Sequence, residues 1–115
     1  MYIYDRANAL AEDIKKSPEY TAYKAAKDEV YADATSKDLI KQYKKLQFEA
    51  QTMLMSGKQP DEETMDKLKK LGEVLAFNPK VGEFFSAEYK FQTLIQDIYK
   101  ILGEACDIAA DFLSE

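Results

Sequence analysis

The chain of 115 residues contains no histidine and a single cysteine, Cys106. Without imidazole there is no histidine general base, no Ser-His or Cys-His dyad and no His-ligated metal. One thiol cannot close an intrachain disulfide, and it cannot cage zinc or an iron–sulfur cluster. Proline occurs three times and glycine four times, so little interrupts helix. No run approaches the ~20 apolar residues that a membrane-spanning helix needs. The opening Met-Tyr-Ile-Tyr-Asp-Arg lacks the basic start and apolar stretch of a signal peptide. These absences predict a soluble cytoplasmic protein without cofactors. No strand-period segment, internal repeat, low-complexity tract or domain boundary stands out, which predicts one helical domain over 1–115.

What the chain does have is charge and helical periodicity. Charged residues make up 32% and hydrophobic residues 46%, a balance that argues against disorder. The net charge is -5, and residues 58–115 supply all of it, with 7 Lys against 12 Asp/Glu. An acidic surface repels phosphate backbones and disfavours direct nucleic-acid binding.

The apolar pattern predicts an all-α fold, an antiparallel bundle of about five helices with a long C-terminal helix. The first helix begins near Tyr2–Asp5, ends near Lys15-Lys16, and carries the stripe Ile3, Ala7, Leu10, Ile14. Ser17-Pro18-Glu19 restarts the chain, with Ser17 as cap and Pro18 at the first helical position. The second helix buries Tyr20, Tyr23, Ala26 and Val30. Thr35-Ser36-Lys37-Asp38 resembles a capping box for the third. That helix has a seam of Leu39, Tyr43, Leu46, Ala50 and Met53, widened by Ile40 and Leu54, and Gly57 stops it. Asp61 is the expected N-cap of a fourth helix that buries Met65, Leu68, Leu71 and Leu75. The short connectors predict sequential antiparallel neighbours.

The last third, after Asn78-Pro79, is the most informative part. Val81, Phe84, Phe91, Ile95, Ile98, Leu102, Ala105, Ala109 and Phe112 recur at steps of three and four, and Glu88 breaks the series. A helix from 79 to 113 would be ~50 Å long. The radius of gyration of a domain this size is ~13 Å. The helix must therefore either kink, with Gly82–Ser86 as the weak point, or bury its seam against another chain. Phe84, Glu88, Phe91, Ile95, Ile98, Leu102 and Phe112 form the expected oligomer interface. The third-helix seam offers a second surface.

Other clusters have ordinary readings beside functional ones. Lys37, Lys41, Lys44 and Lys45 near Tyr43 read as a solvated face; Lys41, Lys44 and Lys45 are also candidate partner contacts. Asp61, Glu62, Glu63 and Asp66 supply oxygens that a hard cation would accept, but capping and the helix dipole account for them. Glu88 either sets register by pairing with a partner or faces water where the seam turns outward. Cys106 reads as a small packing residue. The phenylalanines read as core or interface rather than a ligand pocket.

Ser17-Pro18-Glu19-Tyr20 with Tyr23-Lys24, Leu46-Gln47, Gly57, Asn78-Pro79-x-Val81, Phe84-Phe85-x-Ala87-Glu88 and Leu94-Ile95 form, in this order and spacing, a pattern that resembles the YlbF/YmcA/YheA family of small bacterial helical proteins. The Tyr-Asp opening and short tail are most similar to the YheA branch. The resemblance spans nearly the whole chain. It implies an all-helical cytoplasmic protein without enzymatic activity, paired into dimers or higher oligomers through long helices. It also implies, as an alternative to an uncharacterised adaptor role, an accessory part in RNase Y-dependent mRNA processing with effects on competence, sporulation and biofilm formation. Some branches are linked to iron–sulfur clusters through cysteines. Here Cys106 stands alone, so no cluster is expected.

Overall fold

The computed structural model describes residues 2–107. Five helices follow in order: α1 (Tyr2–Lys15), α2 (Pro18–Tyr31), α3 (Ala34–Met55), α4 (Glu62–Ala76) and α5 (Pro79–Cys106). The fold is all-α, as the periodicity predicts. No strand occurs among the described residues.

Local chemistry sets each boundary. Ser17 accepts a hydrogen bond from the Tyr20 N–H at 3.1 Å and caps α2, and its hydroxyl donates back to the Ile14 carbonyl at 2.6 Å. The α1–α2 corner is thus closed by one serine. Asp33 caps α3, accepting from the Ser36 N–H at 3.3 Å and the Ser36 hydroxyl at 2.6 Å. The helix therefore starts before the expected Thr35 box. A carboxylate at 33 satisfies two donors and outcompetes the threonine hydroxyl.

At the other end of α3 the chain makes a Schellman turn. The Lys58 N–H reaches the Met53 carbonyl at 2.9 Å, and the Gly57 N–H reaches that of Leu54 at 3.0 Å. Gly57 has φ +81°, a conformation that only glycine takes without steric cost. Asp61 then caps α4 through the Thr64 N–H at 2.7 Å. Asn78 opens α5, accepting from the Lys80 N–H at 3.0 Å. α5 stops at Cys106, where Asp107 turns left-handed at φ 58°. The predicted seam positions Ala109 and Phe112 lie outside the described residues.

The chain divides into two compact units. One contains residues 26–84, and the other contains residues 2–25 and 85–107 of the described chain. α2 and α5 each contribute to both.

In the first unit α3 and α4 run antiparallel. Lys67 feels the Glu49 carboxylate, and Tyr43 lies over Gly72, where a methyl group would rest 3.5 Å from its Cε1. The core of this unit is Val30, Ile40, Ala50, Leu75, Val81 and Phe84. Ile40 and Phe84 have no exposed surface at all. The Tyr31 ring meets Phe84 at a centroid distance of 5.8 Å. Two apolar expectations are corrected here. Met65 and Leu54 face outward, because the inner row of α4 runs Thr64, Leu68, Leu71, Leu75, and Met65 lies ~100° around the helix from it. Thr64 is tolerated inside because the Asp61 carboxylate takes up its hydroxyl as well as its N–H.

In the second unit, Phe91 of α5 stacks on Tyr23 at 5.1 Å and meets the edge of Tyr20 at 5.3 Å. Among the described residues, no apolar side chain of this unit is fully buried. α1 has no buried residue.

Asp61 couples the fold to pH. The hydroxyl and N–H of Thr64 both hold its carboxyl below the ordinary value of 3.8. The folded state therefore binds its proton more weakly than the unfolded chain. That stabilisation is complete above pH 3.8 and is lost as pH falls through the folded value. Asp61→Asn keeps a capping oxygen but does not titrate. Its melting temperature should fall less than that of the wild type on acidification below that value, measured by circular dichroism. Equal acid sensitivity would show that the cap carboxylate is not coupled to folding.

Candidate functional site

Among the described residues no group of three or more His, Cys, Asp or Glu could hold a metal ion. No helix among them is long and apolar enough to cross a membrane. Asp61, Glu62 and Glu63 open α4 at the positive end of its dipole. Asp61 is taken up by Thr64, Glu63 pairs with Lys67 at 3.0 Å, and Asp66 pairs with Lys70 at 3.0 Å.

The predicted α5 seam divides into two parts. Phe84 is completely covered within the chain, so it is a core residue and not an interface residue. A neighbouring chain could reach it only by opening that core. The physical reason is that α3 and Tyr31 already occupy the turn around it. Val81 is buried in the same way. Beyond it, Phe91, Ile95 and Ile98 are half-buried, and Leu102 is 55% exposed. Glu88 is half-buried and takes part in an interaction within the chain.

The lysine cluster also divides. Lys44 bends inward until its ammonium is 5.2 Å from the centre of the Phe84 ring, a cation–π contact that removes it from the outward face. Lys41 and Lys45 remain exposed. One further cation lay outside the sequence reading. Lys80 of α5 pairs with Glu29 of α2 at 2.9 Å, and the carboxylate raises the lysine pKa above 10.5.

Sequence reasoning missed the surface that stands out most. Along α1, Tyr2, Ile3 and Tyr4 are each about two-thirds exposed, and Leu10 is also open. On α5, Tyr89, Tyr99 and Ile101 are exposed beside Leu102. The stripe Ile3, Ala7, Leu10, Ile14 was visible as a pattern. Nothing in a period of 3.6 says which chain covers it. A second feature lies between α3 and α4, a groove of about 320 Å³ lined by Gln42, Leu46, Lys67, Lys70, Leu71 and Val74.

These features are those of an all-α protein with exposed apolar faces and, among the described residues, no cluster that could hold a metal ion. Residues 3–107 match the family described as control of competence regulator ComK, YlbF/YmcA, and the chain belongs to that family. A UPF0342 protein of Symbiobacterium thermophilum is 33% identical over 110 residues, covering 96% of this chain and 98% of its own. One from Clostridium novyi is 36% identical over 107 residues, covering 93% and 94%. A protein of unknown function (DUF964) from Bacillus stearothermophilus shares the fold with a TM-score of 0.74 at 17% identity, over 93% of this chain and 94% of that one. Bacillus subtilis RicA, solved in complex with RicF, superposes with a TM-score of 0.61 at 24% identity, over 92% and 94%.

The aromatic trio is a direct link between α2 and α5. Phe91→Ala should lower stability by ~1.5–3 kcal/mol, less than a fully buried phenylalanine, since the ring keeps some exposure. The exposed neighbour Gln92→Ala should stay within ~0.5 kcal/mol of wild type. Urea denaturation followed by tyrosine fluorescence compares the two.

Proposed function

We propose that this chain is a non-enzymatic cytoplasmic helical adaptor that assembles with copies of itself through α1 and the distal half of α5. One observation carries the reading: residues 2–25 and 85–107 include no fully buried apolar side chain. A 14-residue helix such as α1 is marginal in water on its own. Its apolar face gains stability only if something covers it, at ~25 cal/mol per Å² of apolar area buried. A second copy offers the matching surface at equal concentration, and closed twofold pairing is the commonest solution for such a patch. Ile95, Ile98 and Leu102 are the proposed centre on α5, with Ile3 and Leu10 on α1. Phe112 remains a proposed contact at the far end, and Phe91 and Glu88 border the contact rather than centring it.

A second reading is favoured by the likeness to RicA, a protein solved in complex with RicF. On this reading the chain is an accessory factor of RNase Y-dependent mRNA processing, influencing competence, sporulation and biofilm formation.

Size-exclusion chromatography with light scattering tests the first reading. The wild type should elute at twice the chain mass or more, and Leu102→Asp should shift it to the monomer without loss of helix, because Leu102 is exposed within the subunit. A monomeric wild type ends the proposal. For the second reading, affinity purification from native cells should retain RNase Y with the wild-type chain. Its absence from the bound fraction removes that role.

A further inference from the structure

The two compact units differ in what they bury. Residues 26–84 enclose Ile40 and Phe84 completely, with Val30, Leu75 and Val81 nearly so. Among the described residues of 2–25 and 85–107, no apolar side chain is fully buried. α1 has no buried residue, and Ile3 and Leu10 of its stripe are exposed. The resistance of a segment to opening follows the apolar surface that opening returns to water. The two units are therefore held closed by different amounts of free energy.

Half-buried side chains close the second unit. Phe91 lies against Tyr23 at 5.1 Å and meets the edge of Tyr20 at 5.3 Å. All three rings keep part of their surface in water, and ring pairs add only modestly to the area they cover. The Ser17 bridge from the Ile14 carbonyl to the Tyr20 N–H makes α1 and the start of α2 one piece. In the first unit the other parts of α2 and α5 are fixed more firmly. Val30 and Phe84 enter the core, Tyr31 packs on Phe84 at 5.8 Å, and Glu29 pairs with Lys80 at 2.9 Å. Those contacts do not depend on the Tyr20, Tyr23 and Phe91 rings.

We propose that residues 2–25 and 85–107 open and close together as one cooperative unit while residues 26–84 stay packed. Opening parts Phe91 from Tyr20 and Tyr23. It brings Phe91, Ile95 and Ile98, half-covered in the closed subunit, fully into water. The apolar row of distal α5 is thereby gated: Ile101 and Leu102 are exposed at all times, and the rest only on opening. The closed form predominates, so the average helix content is kept. This is a property of the single subunit and stands whether or not copies assemble. A second copy lying across the unit would add to its protection.

Amide hydrogen exchange followed by mass spectrometry tests the proposal on the full-length chain. The sample is wild type diluted until light scattering gives the monomer mass, or Leu102→Asp where the wild type stays assembled. Amides of 6–15 and 92–105 should share one opening free energy. Relative to their intrinsic rates they should exchange at least ~tenfold faster than those of 38–50. Ile40→Val weakens the core that stays packed in the open form. It should quicken exchange in 38–50 by ~fivefold and leave 6–15 and 92–105 at their original rates. Phe91→Ala destabilises the closed form against every open one, so it should quicken all three segments by the same factor. Equal protection of the three segments would overturn the proposal, as would a quickening of 92–105 by Ile40→Val to the same extent as 38–50. A Phe91→Ala effect on 92–105 without one on 6–15 would also overturn it, since the two segments would then not open together. Self-association is read from the solution mass alone, so failure of that reading is seen separately.

Discussion

Phe84, in the second turn of α5, is the packed centre of residues 26–84. Ile40 shares its fully covered state, Tyr31 packs on its ring, and the Lys44 ammonium is held against its face. Removing that ring from water is what makes residues 26–84 a core. The first turns of α5 are anchored there, and the remaining turns belong to the other unit, where no apolar side chain among the described residues is fully buried. One continuous helix of 28 residues therefore has a packed beginning and an uncovered end. The proposed assembly is motivated by that asymmetry, since Leu102 and the apolar residues of α1 are exposed among the described residues.

Polar punctuation does the rest of the local work. Ser17, Asp33, Asp61 and Asn78 each satisfy an N–H that a helix start would leave unpaired. Gly57 supplies the left-handed residue that turns α3 back toward α4. These residues hold short connectors at fixed angles. A short connector in turn keeps α3 and α4 side by side, and that adjacency creates the groove between them. Its lining includes a leucine from each helix, Leu46 and Leu71.

The chain belongs to a family named for competence control, and among its described residues no group of His, Cys, Asp or Glu could hold a metal ion. Its cations show how a single residue type takes different roles. Lys44 is part of the core edge, Lys80 is tied to Glu29, and Lys41 and Lys45 are left for whatever approaches from outside. In the sequence these lysines look alike. Their difference arises from which side of α3, or which neighbouring helix, each one meets.

Much of the fold was legible before any coordinates. The Ser17-Pro18 restart, the Gly57 stop, the Asp61 cap and the Asn78-Pro79 junction are local chemistry, and local chemistry is written residue by residue. The Asp33 cap was missed because two neighbouring polar residues offered competing starts, and only the geometry at Ser36 decides between them. The periodicity of α1 and α5 correctly marked apolar faces. It could not tell that Phe84 is spent inside the subunit while Leu102 is left outside it. That distinction belongs to tertiary structure, because burial depends on what stands opposite a side chain, and what stands opposite comes from a distant part of the chain. The sequence alone determined the helices, their ends and their greasy sides. Only the packing of α3, α4 and the start of α5 decided which of those sides remained open.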